Sequence, residues 1–188
     1  MLELKQVSFS YPQRPLFENL NLRFAPGSRT ALLGQSGRGK TTLLHMLCGL
    51  IQPQSGSISG IPQQGVAVVF QEDRLFEQLT IAENLLAVAP ELTQKQMEQM
   101  LSSLLLPGIL HQYPSQLSGG MRRRAAIARA LCFHSPLIIL DEPFKGLDSG
   151  TKQAVLQTVD TAAANRTLIL VTHDPAEAAA LRCSCIAL

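Results

Sequence analysis

The sequence predicts an α/β fold: a P-loop core with a mostly parallel β-sheet, an antiparallel β edge and an inserted helical subdomain. Residues 34–41 carry the pattern G-x-x-x-x-G-K-T between an apolar run and a helix-like segment, which is the order of a phosphate-binding P-loop. Residues 73–135 contain helix signals, which predicts the insert. Short apolar runs typical of buried strands alternate with helix-like segments and lie at residues 30–33, 66–70, 137–140 and 168–171.

The segments around the first apolar run predict the antiparallel edge. Apolar residues alternate over residues 2–11 but change phase near residues 5–6, which predicts a strand with a bulge. A second alternating strand covers residues 20–24 and ends at a Pro-Gly turn, and residues 55–60 predict a short edge strand. Helical spacing of leucines predicts a helix over residues 40–50.

Helix start signals define the insert. Thr80 and Thr93 each stand three residues before a Glu or Gln, which predicts a capping box at both positions. A further helix begins near Ser118. The helix that follows Thr93 has one apolar face, which we interpret as a core stripe and which consists of Met97, Met100, Leu101 and Leu104.

Strand and helix signals alternate again after the insert. A helix is predicted over residues 150–163, another starts where Asp174 precedes a proline and a glutamate at N3, and residues 183–188 predict a last strand. The whole chain, residues 1–188, is therefore expected to be a single domain, with a core of residues 1–72 and 136–188 and a helical insert of residues 73–135.

Composition excludes several classes of protein. The net charge of +2 is too small to indicate nucleic acid or an anionic membrane as a partner. The basic end and apolar block of a signal peptide are lacking at the N-terminus, and the aliphatic runs are too short to span a bilayer. We expect a soluble protein of a reducing cytoplasm whose cysteines are buried thiols rather than a metal site; they are Cys48, Cys132, Cys183 and Cys185.

The P-loop pattern has a direct chemical meaning. Glycines let successive backbone N–H groups point at phosphate oxygens, and the helix start adds its positive dipole end. Lys40 can reach the terminal phosphates and the Thr41 hydroxyl can ligate Mg²⁺. A glycine-rich surface turn is the alternative. The predicted nucleotide contacts are Gly34, Gln35, Ser36, Gly37, Arg38, Gly39, Lys40, Thr41 and Thr42.

Two acids follow the apolar run at residues 137–140. Asp141, at the carboxyl end of a buried strand, is placed to hold Mg²⁺ beside the P-loop. Glu142 can polarise a water that attacks the γ-phosphate. Solvated acids in a strand-end turn are the alternative interpretation.

A second anion site is predicted at Leu117-Ser118-Gly119-Gly120-Met121. A hydroxyl and two bare amides stand there at a helix start, so the same physical principle as in the P-loop applies. A plain serine cap would not need the two glycines.

The chain resembles the nucleotide-binding subunit of ATP-binding cassette (ABC) transporters. The resemblance covers essentially the whole chain and rests on six elements in order: the P-loop, Gln71, residues 117–121, Asp141-Glu142, Gly146-Leu147-Asp148 and His173.

The resemblance implies a role for each of these elements, and ATP and Mg²⁺ as cofactors. Gln71 would sense Mg²⁺ and the γ-phosphate and would be a metal contact, with a polar strand end as the alternative. His173 would contact the γ-phosphate beside the catalytic Glu142. Asp148 and the Ser118-Gly119-Gly120 segment would contact nucleotide. Tyr11 would stack on adenine, with a core or edge aromatic as the alternative. Residues 122–124, three arginines, are interpreted as a solvated helix face.

The resemblance also implies partners and a location. Two copies would form a dimer that powers an integral-membrane permease from the cytoplasmic face of a bacterial-type membrane, and the permease would serve a solute-binding protein. A non-transport ATP-dependent clamp remains an alternative. An ordinary P-loop kinase would leave the signature at residues 117–121 unexplained.

Finer features suggest a subgroup and some departures. Residues 69–74, 79–84 and 127–131 are similar to importers of nitrate, sulfonates and taurine. Met121 stands where Gln is commoner and Lys145 where a small residue is usual. The sequence stops soon after His173, so a C-terminally short domain is expected.

Overall fold

The structure is a computed structural model that describes residues 1–12, 14–34 and 37–188. These residues form two compact units. The first unit comprises Met1–Val66, Ser135–Asp141 and Asn165–Leu188, and the second comprises Ala67–His134 and Glu142–Ala164. Compactness does not establish which parts are separate domains, so the predicted division into core and insert stays a prediction.

Strands and helices alternate along the chain. The first unit contains β1 (Leu2–Tyr11), β2 (Arg14–Phe24), β3 (Arg29–Leu33), α1 (Lys40–Leu47), β4 (Ser55–Ser59), β6 (Leu137–Asp141), β7 (Thr167–Val171), α6 (Pro175–Ala180) and β8 (Ser184–Ala187). The second unit contains β5 (Ala67–Val69), α2 (Ile81–Leu86), α3 (Gln94–Ser103), a short 3-10 helix (Pro114–Gln116), α4 (Gly119–Cys132) and α5 (Ser149–Ala162).

An antiparallel sheet of order β2-β1-β4 forms the predicted edge of the first unit. The register between β1 and β2 shifts between Leu4 and Val7. Gln6 has a φ of 50° there, a left-handed conformation that few residues other than glycine adopt. The change of phase in the sequence therefore correctly predicted a bulge, and β4 is the short edge strand.

The parallel sheet places the functional loops. Within the first unit its strands run in the order β6-β7-β3-β8, with Leu137 beside Thr167 and Thr30 beside Ile169. Every residue of β6 and β7 is buried, which explains their continuous apolar sequence. The loops after β3, β6 and β7 therefore leave the same edge of the sheet, the edge where open α/β sheets bind ligands.

The second unit is mainly helical, and its helices begin where the capping residues in the sequence predict. Thr80 and Thr93 both form complete capping boxes, and Ser118 caps α4. The predicted stripe after Thr93 is buried at Met97, Leu101 and Leu104, while Met100 is half-buried. With the parallel sheet and the antiparallel edge, these helices confirm the predicted fold class.

Replacing Thr93 by alanine should destabilise the protein. The Thr93 hydroxyl accepts a bond from the Gln96 amide at 3.3 Å, and the Gln96 side chain accepts one from the Thr93 amide at 2.9 Å. Loss of such a cap costs about 1 kcal/mol, which corresponds to a midpoint about 2–4 °C lower in a chain of this size. Thermal unfolding of Thr93→Ala and of Thr93→Ser measures this; an equal loss in the serine variant, which keeps the hydroxyl, would contradict it.

The cysteine prediction was wrong in part. All four cysteines are free thiols, but only Cys132 is buried; Cys48 and Cys183 are half-buried and Cys185 is exposed. Cys185 lies on β8, an edge strand without a buried residue, Cys183 directly precedes that strand, and Cys48 lies at the C-terminal end of α1. In the described part of the chain, no three His, Cys, Asp or Glu side chains are arranged to bind a metal ion, and no helix has the length and apolar character needed to cross a membrane.

Candidate nucleotide-binding site

The described residues of the loop between β3 and α1 include two glycines with left-handed backbone conformations. Gly37 and Gly39 adopt φ values of 84° and 90°, which favour glycine. A Cβ at Gly39 would lie 2.7 Å from both Leu16 Cγ and Phe17 Cζ, so close packing also requires glycine there. Gln35 and Ser36, two predicted contacts, lie outside the described residues.

Lys40 opens α1 and turns back over the loop. Its side chain is mostly buried, and its Nζ donates to the Gly34 carbonyl oxygen at 2.6 Å. The ammonium group is therefore held against the loop whose amides would surround a phosphate. Arg38, in contrast, is exposed.

Thr41 and Asp141 form the candidate metal contact. The Thr41 hydroxyl donates to Asp141 Oδ2 at 3.1 Å, and Asp141 is 2% exposed at the end of β6. Mg²⁺ prefers oxygen ligands and is usually bound through one or two protein groups together with phosphates and waters. A hydroxyl and a carboxylate side by side next to a phosphate loop fit that preference.

Tyr11 belongs to the same site through its hydroxyl group. The hydroxyl lies 3.3 Å from Thr42 Oγ1, at the start of α1. The ring packs edge-on against Phe9, with centroids 5.2 Å apart, and the residue is 46% exposed. An exposed aromatic face beside the loop suits stacking on a base; that role stays a prediction.

Arg14 is a site residue that the sequence analysis missed. Its Nη2 donates to the Gly37 carbonyl oxygen at 2.6 Å. No sequence signal marks it, because Arg14 and Gly37 meet only through folding of β2 against the loop.

His173 follows β7 on a braced turn. Its neighbour Thr172 is fully buried and donates a hydroxyl bond to Glu177 at 2.5 Å, while the Asp174 amide donates to the Thr172 hydroxyl at 3.1 Å. Asp174 caps α6 through the Ala176 amide at 2.9 Å, as predicted. His173 itself is exposed, so a fixed backbone presents a side chain that solvent or a ligand can reach.

Glu142 comes directly after Asp141 and has an unusual backbone. Its φ is 48°, in the left-handed region that is uncommon for residues other than glycine and that often marks functional sites. Its carbonyl oxygen accepts bonds from Arg123 Nη2 at 3.0 Å and from the Lys145 amide at 3.3 Å.

The second predicted anion site has open space beside its two glycines. Ser118 accepts a bond from the Met121 amide at 3.3 Å, and α4 begins at Gly119. A Cβ on Gly119 would meet nothing within 4 Å, and one on Gly120 would meet only Leu147, at 3.8 Å. Packing within the described chain therefore does not require these glycines, whereas close approach of another molecule to the backbone would.

Gln71 and Asp148 take different positions in the second unit. Gln71 is exposed shortly after β5. Asp148 caps α5, accepting the Thr151 amide at 3.0 Å. The bond from the Thr151 backbone, with help from its hydroxyl, holds the pKa of Asp148 below its usual value, so this carboxylate is ionised at neutral pH.

Comparisons with known proteins assign the family. The family model described as ABC transporter matches residues 17–145. The thiamine import ATP-binding protein ThiQ of Yersinia pseudotuberculosis is 37% identical, over 95% of this chain and 82% of that protein, and the ThiQ of Shigella boydii is 35% identical, over 95% and 84%. This chain belongs to the ABC transporter family.

Solved ABC cassettes have the same fold. A dimeric bacterial ABC transporter cassette superposes with a TM-score of 0.87 at 27% identity, over 100% of this chain and 94% of that one. The ATP-binding subunit of another ABC transporter gives 0.88 at 29% identity, over 100% and 85%. As an ABC cassette, the chain binds ATP and hydrolyses it to ADP and phosphate.

The interpretation of the three arginines at residues 122–124 as a solvated helix face was wrong. Arg122 pairs with Glu77 and also bonds the Pro114 carbonyl. Arg123 is 6% exposed. Arg124 donates to the carbonyl oxygens of Gly120, Leu104 and Leu105, and burial lowers its pKa. The physical reason is that helix ends and turns around α4 leave carbonyl oxygens that need hydrogen-bond donors. Each guanidinium group supplies several such donors.

Proposed function

We propose that the chain is the ATP-hydrolysing subunit of a bacterial-type importer, acting as a homodimer at the cytoplasmic face of the cell membrane. The observation that carries the proposal is the open space at Gly119 and Gly120, at a capped helix start: among the described residues, nothing lies within 4 Å of a Cβ built on Gly119. In a cassette that binds ATP, this surface suits the phosphates of a nucleotide held by the second copy.

Each ATP would then contact residues of both copies. The P-loop of one copy would hold the phosphates through Lys40 and the loop amides, with Tyr11 stacked on the base. The Ser118-Gly119-Gly120 segment of the other copy would close over them, with Asp148 nearby. Two ATP molecules would be sandwiched in this way, and their binding would hold the dimer together.

Chemistry in such a site consists mainly of positioning and charge stabilisation. Glu142 would orient the attacking water and accept its proton, while His173 would contact the γ-phosphate. Mg²⁺, held by Thr41 and Asp141 with Gln71 as a further contact, would offset the phosphate charge.

ATP hydrolysis would drive a permease, and a solute-binding protein would deliver the solute to that permease. The identity of 35–37% with thiamine import proteins supports an importer and makes thiamine the first solute to test. The predicted similarity to nitrate, sulfonate and taurine importers rests on short stretches, and the relatives reported above are not of that group. The cassette does not touch the solute, so its own site carries no record of it.

Uptake by cells tests the proposal. Deleting the gene in its source organism should abolish uptake of radiolabelled thiamine; the wild-type gene should restore it and Glu142→Gln should not. Lys95→Ala, an exposed lysine on α3, is the matched control and should restore uptake. Loss of taurine or nitrate uptake instead would retain the importer and overturn the thiamine assignment. Unchanged uptake of all three would overturn these three solute assignments.

A further inference from the structure

We propose that Arg123 is a positioning residue that sets the backbone of Glu142 and of the segment around Gln71 with one buried guanidinium group. The inference rests on the proposed role of Glu142 as the residue that orients water. Arg123 is the second arginine after the signature at residues 117–121, and it is not one of the six sequence elements that carry the family resemblance.

The contacts of Arg123 converge from two parts of the second unit. Its Nη1 donates to the Phe70 carbonyl oxygen at 2.6 Å and lies 3.2 Å from Asp73 Oδ1. Its Nη2 donates to the Glu142 carbonyl oxygen at 3.0 Å. One planar group therefore joins both sides of Gln71 to the catalytic glutamate.

Burial makes this connection strong. The Arg123 side chain is 7% exposed and that of Asp73 is 23% exposed, so their attraction is screened less by water than that of a surface pair. The planar guanidinium group presents its donors in fixed directions. A lysine could replace the charge but could not hold the two carbonyl oxygens and the carboxylate with the same fork.

The strained backbone of Glu142 is what the connection acts on. A φ of 48° carries an energetic cost for a glutamate and persists only where neighbouring groups determine it. Arg123 and the Lys145 amide both bind its carbonyl oxygen. Turning the peptide away would break these bonds, so Arg123 helps to fix the direction in which the Glu142 carboxylate leaves the chain.

Movement of the segment around Gln71 should therefore reach Glu142. When Phe70 and Asp73 shift, Arg123 must follow or lose its bonds, and its other nitrogen holds Glu142. Coupling of this kind is reciprocal: the conformation of the Gln71 segment changes the stability of the Glu142 conformation, and the reverse also holds. It lets the state of the Gln71 segment set the rate at which water is activated.

The neighbouring arginines provide a matched control. Arg122 lies one position earlier on α4, and its side chain contacts Glu77 and the Pro114 carbonyl oxygen, neither of them next to Gln71 or Glu142. Arg122→Met therefore removes an arginine side chain and its more exposed ion pair from the same helix without touching the proposed link.

The experiment measures steady-state ATP hydrolysis, equilibrium ATP affinity and thermal stability for Arg123→Lys, Arg123→Met and Arg122→Met. Arg123→Lys loses a bond from a charged group that positions Glu142 for the reaction. Its kcat should therefore fall by about 10- to 100-fold. The KM and the ATP affinity should stay within about twofold of wild type, since the described bonds of the Arg123 side chain go to Phe70, Asp73 and Glu142, none of which is a predicted phosphate contact. Arg122→Met should keep the wild-type kcat. If Arg123→Met does not fold, Arg123→Lys still tests the positioning role, because it retains the positive charge beside Asp73.

A double variant separates positioning from general loosening. In Glu142→Gln the water-orienting carboxylate is already gone, so adding Arg123→Lys should lower the residual kcat no further. A further loss of tenfold, an equal loss of kcat in Arg122→Met, or an unchanged kcat in Arg123→Lys would each overturn the inference. If Glu142→Gln itself hydrolyses ATP at the wild-type rate, the proposed role of Glu142 fails, and that outcome is distinct from the others.

Discussion

Glu142→Gln should bind ATP normally and hydrolyse it roughly two to four orders of magnitude more slowly than wild type, the range that a positioned general base contributes. The amide keeps the shape of the side chain but cannot accept the proton of the attacking water. Nucleotide binding should survive because Glu142 lies beyond the P-loop and Asp141, which are the predicted phosphate and Mg²⁺ contacts.

The same variant should accumulate as a dimer. If two ATP molecules hold the two copies together and hydrolysis releases them, a variant that binds but does not hydrolyse stays closed. Gel filtration with ATP and Mg²⁺, and then with EDTA, measures the shift. Glu77→Gln, an exposed acid of the second unit that pairs with Arg122, should remain active and elute as wild type does. Wild-type turnover by Glu142→Gln would remove the residue from the mechanism.

Lys40→Ala should abolish tight nucleotide binding. The ammonium group lies against the loop, 2.6 Å from the Gly34 carbonyl oxygen, and bonds between charged groups and phosphate contribute about 1.5–3 kcal/mol each, or at least tenfold in affinity. Calorimetric titration with ATP and Mg²⁺ measures the loss.

Charge alone should not explain that loss. Lys95→Ala removes one exposed lysine from α3 and changes the net charge equally, so its ATP affinity should match wild type. An unchanged affinity in Lys40→Ala would contradict the assignment of the P-loop. An affinity reduced equally in both variants would point to long-range charge instead of a contact.

Features encoded within a few neighbouring residues were predictable from the sequence. The P-loop glycines, the capping boxes at Thr80 and Thr93, the buried strands β6 and β7 and the bulge in β1 each depend on local backbone geometry or on one side-chain period. Such signals keep their meaning wherever the segment lies in the fold. The same holds for Asp141, which a buried strand delivers to the sheet edge that carries the P-loop.

Contacts between distant residues were decided only by the tertiary structure. The sequence does not reveal that Arg14 bonds Gly37, that Tyr11 reaches Thr42, or that Thr172 donates to the buried Glu177. Arg123 is the clearest case, because three consecutive arginines suggest a solvated face, and only folding brings Phe70, Asp73 and Glu142 around the middle one. A charged side chain is buried when enough acceptors converge on it, and convergence depends on how elements pack and not on spacing along the chain.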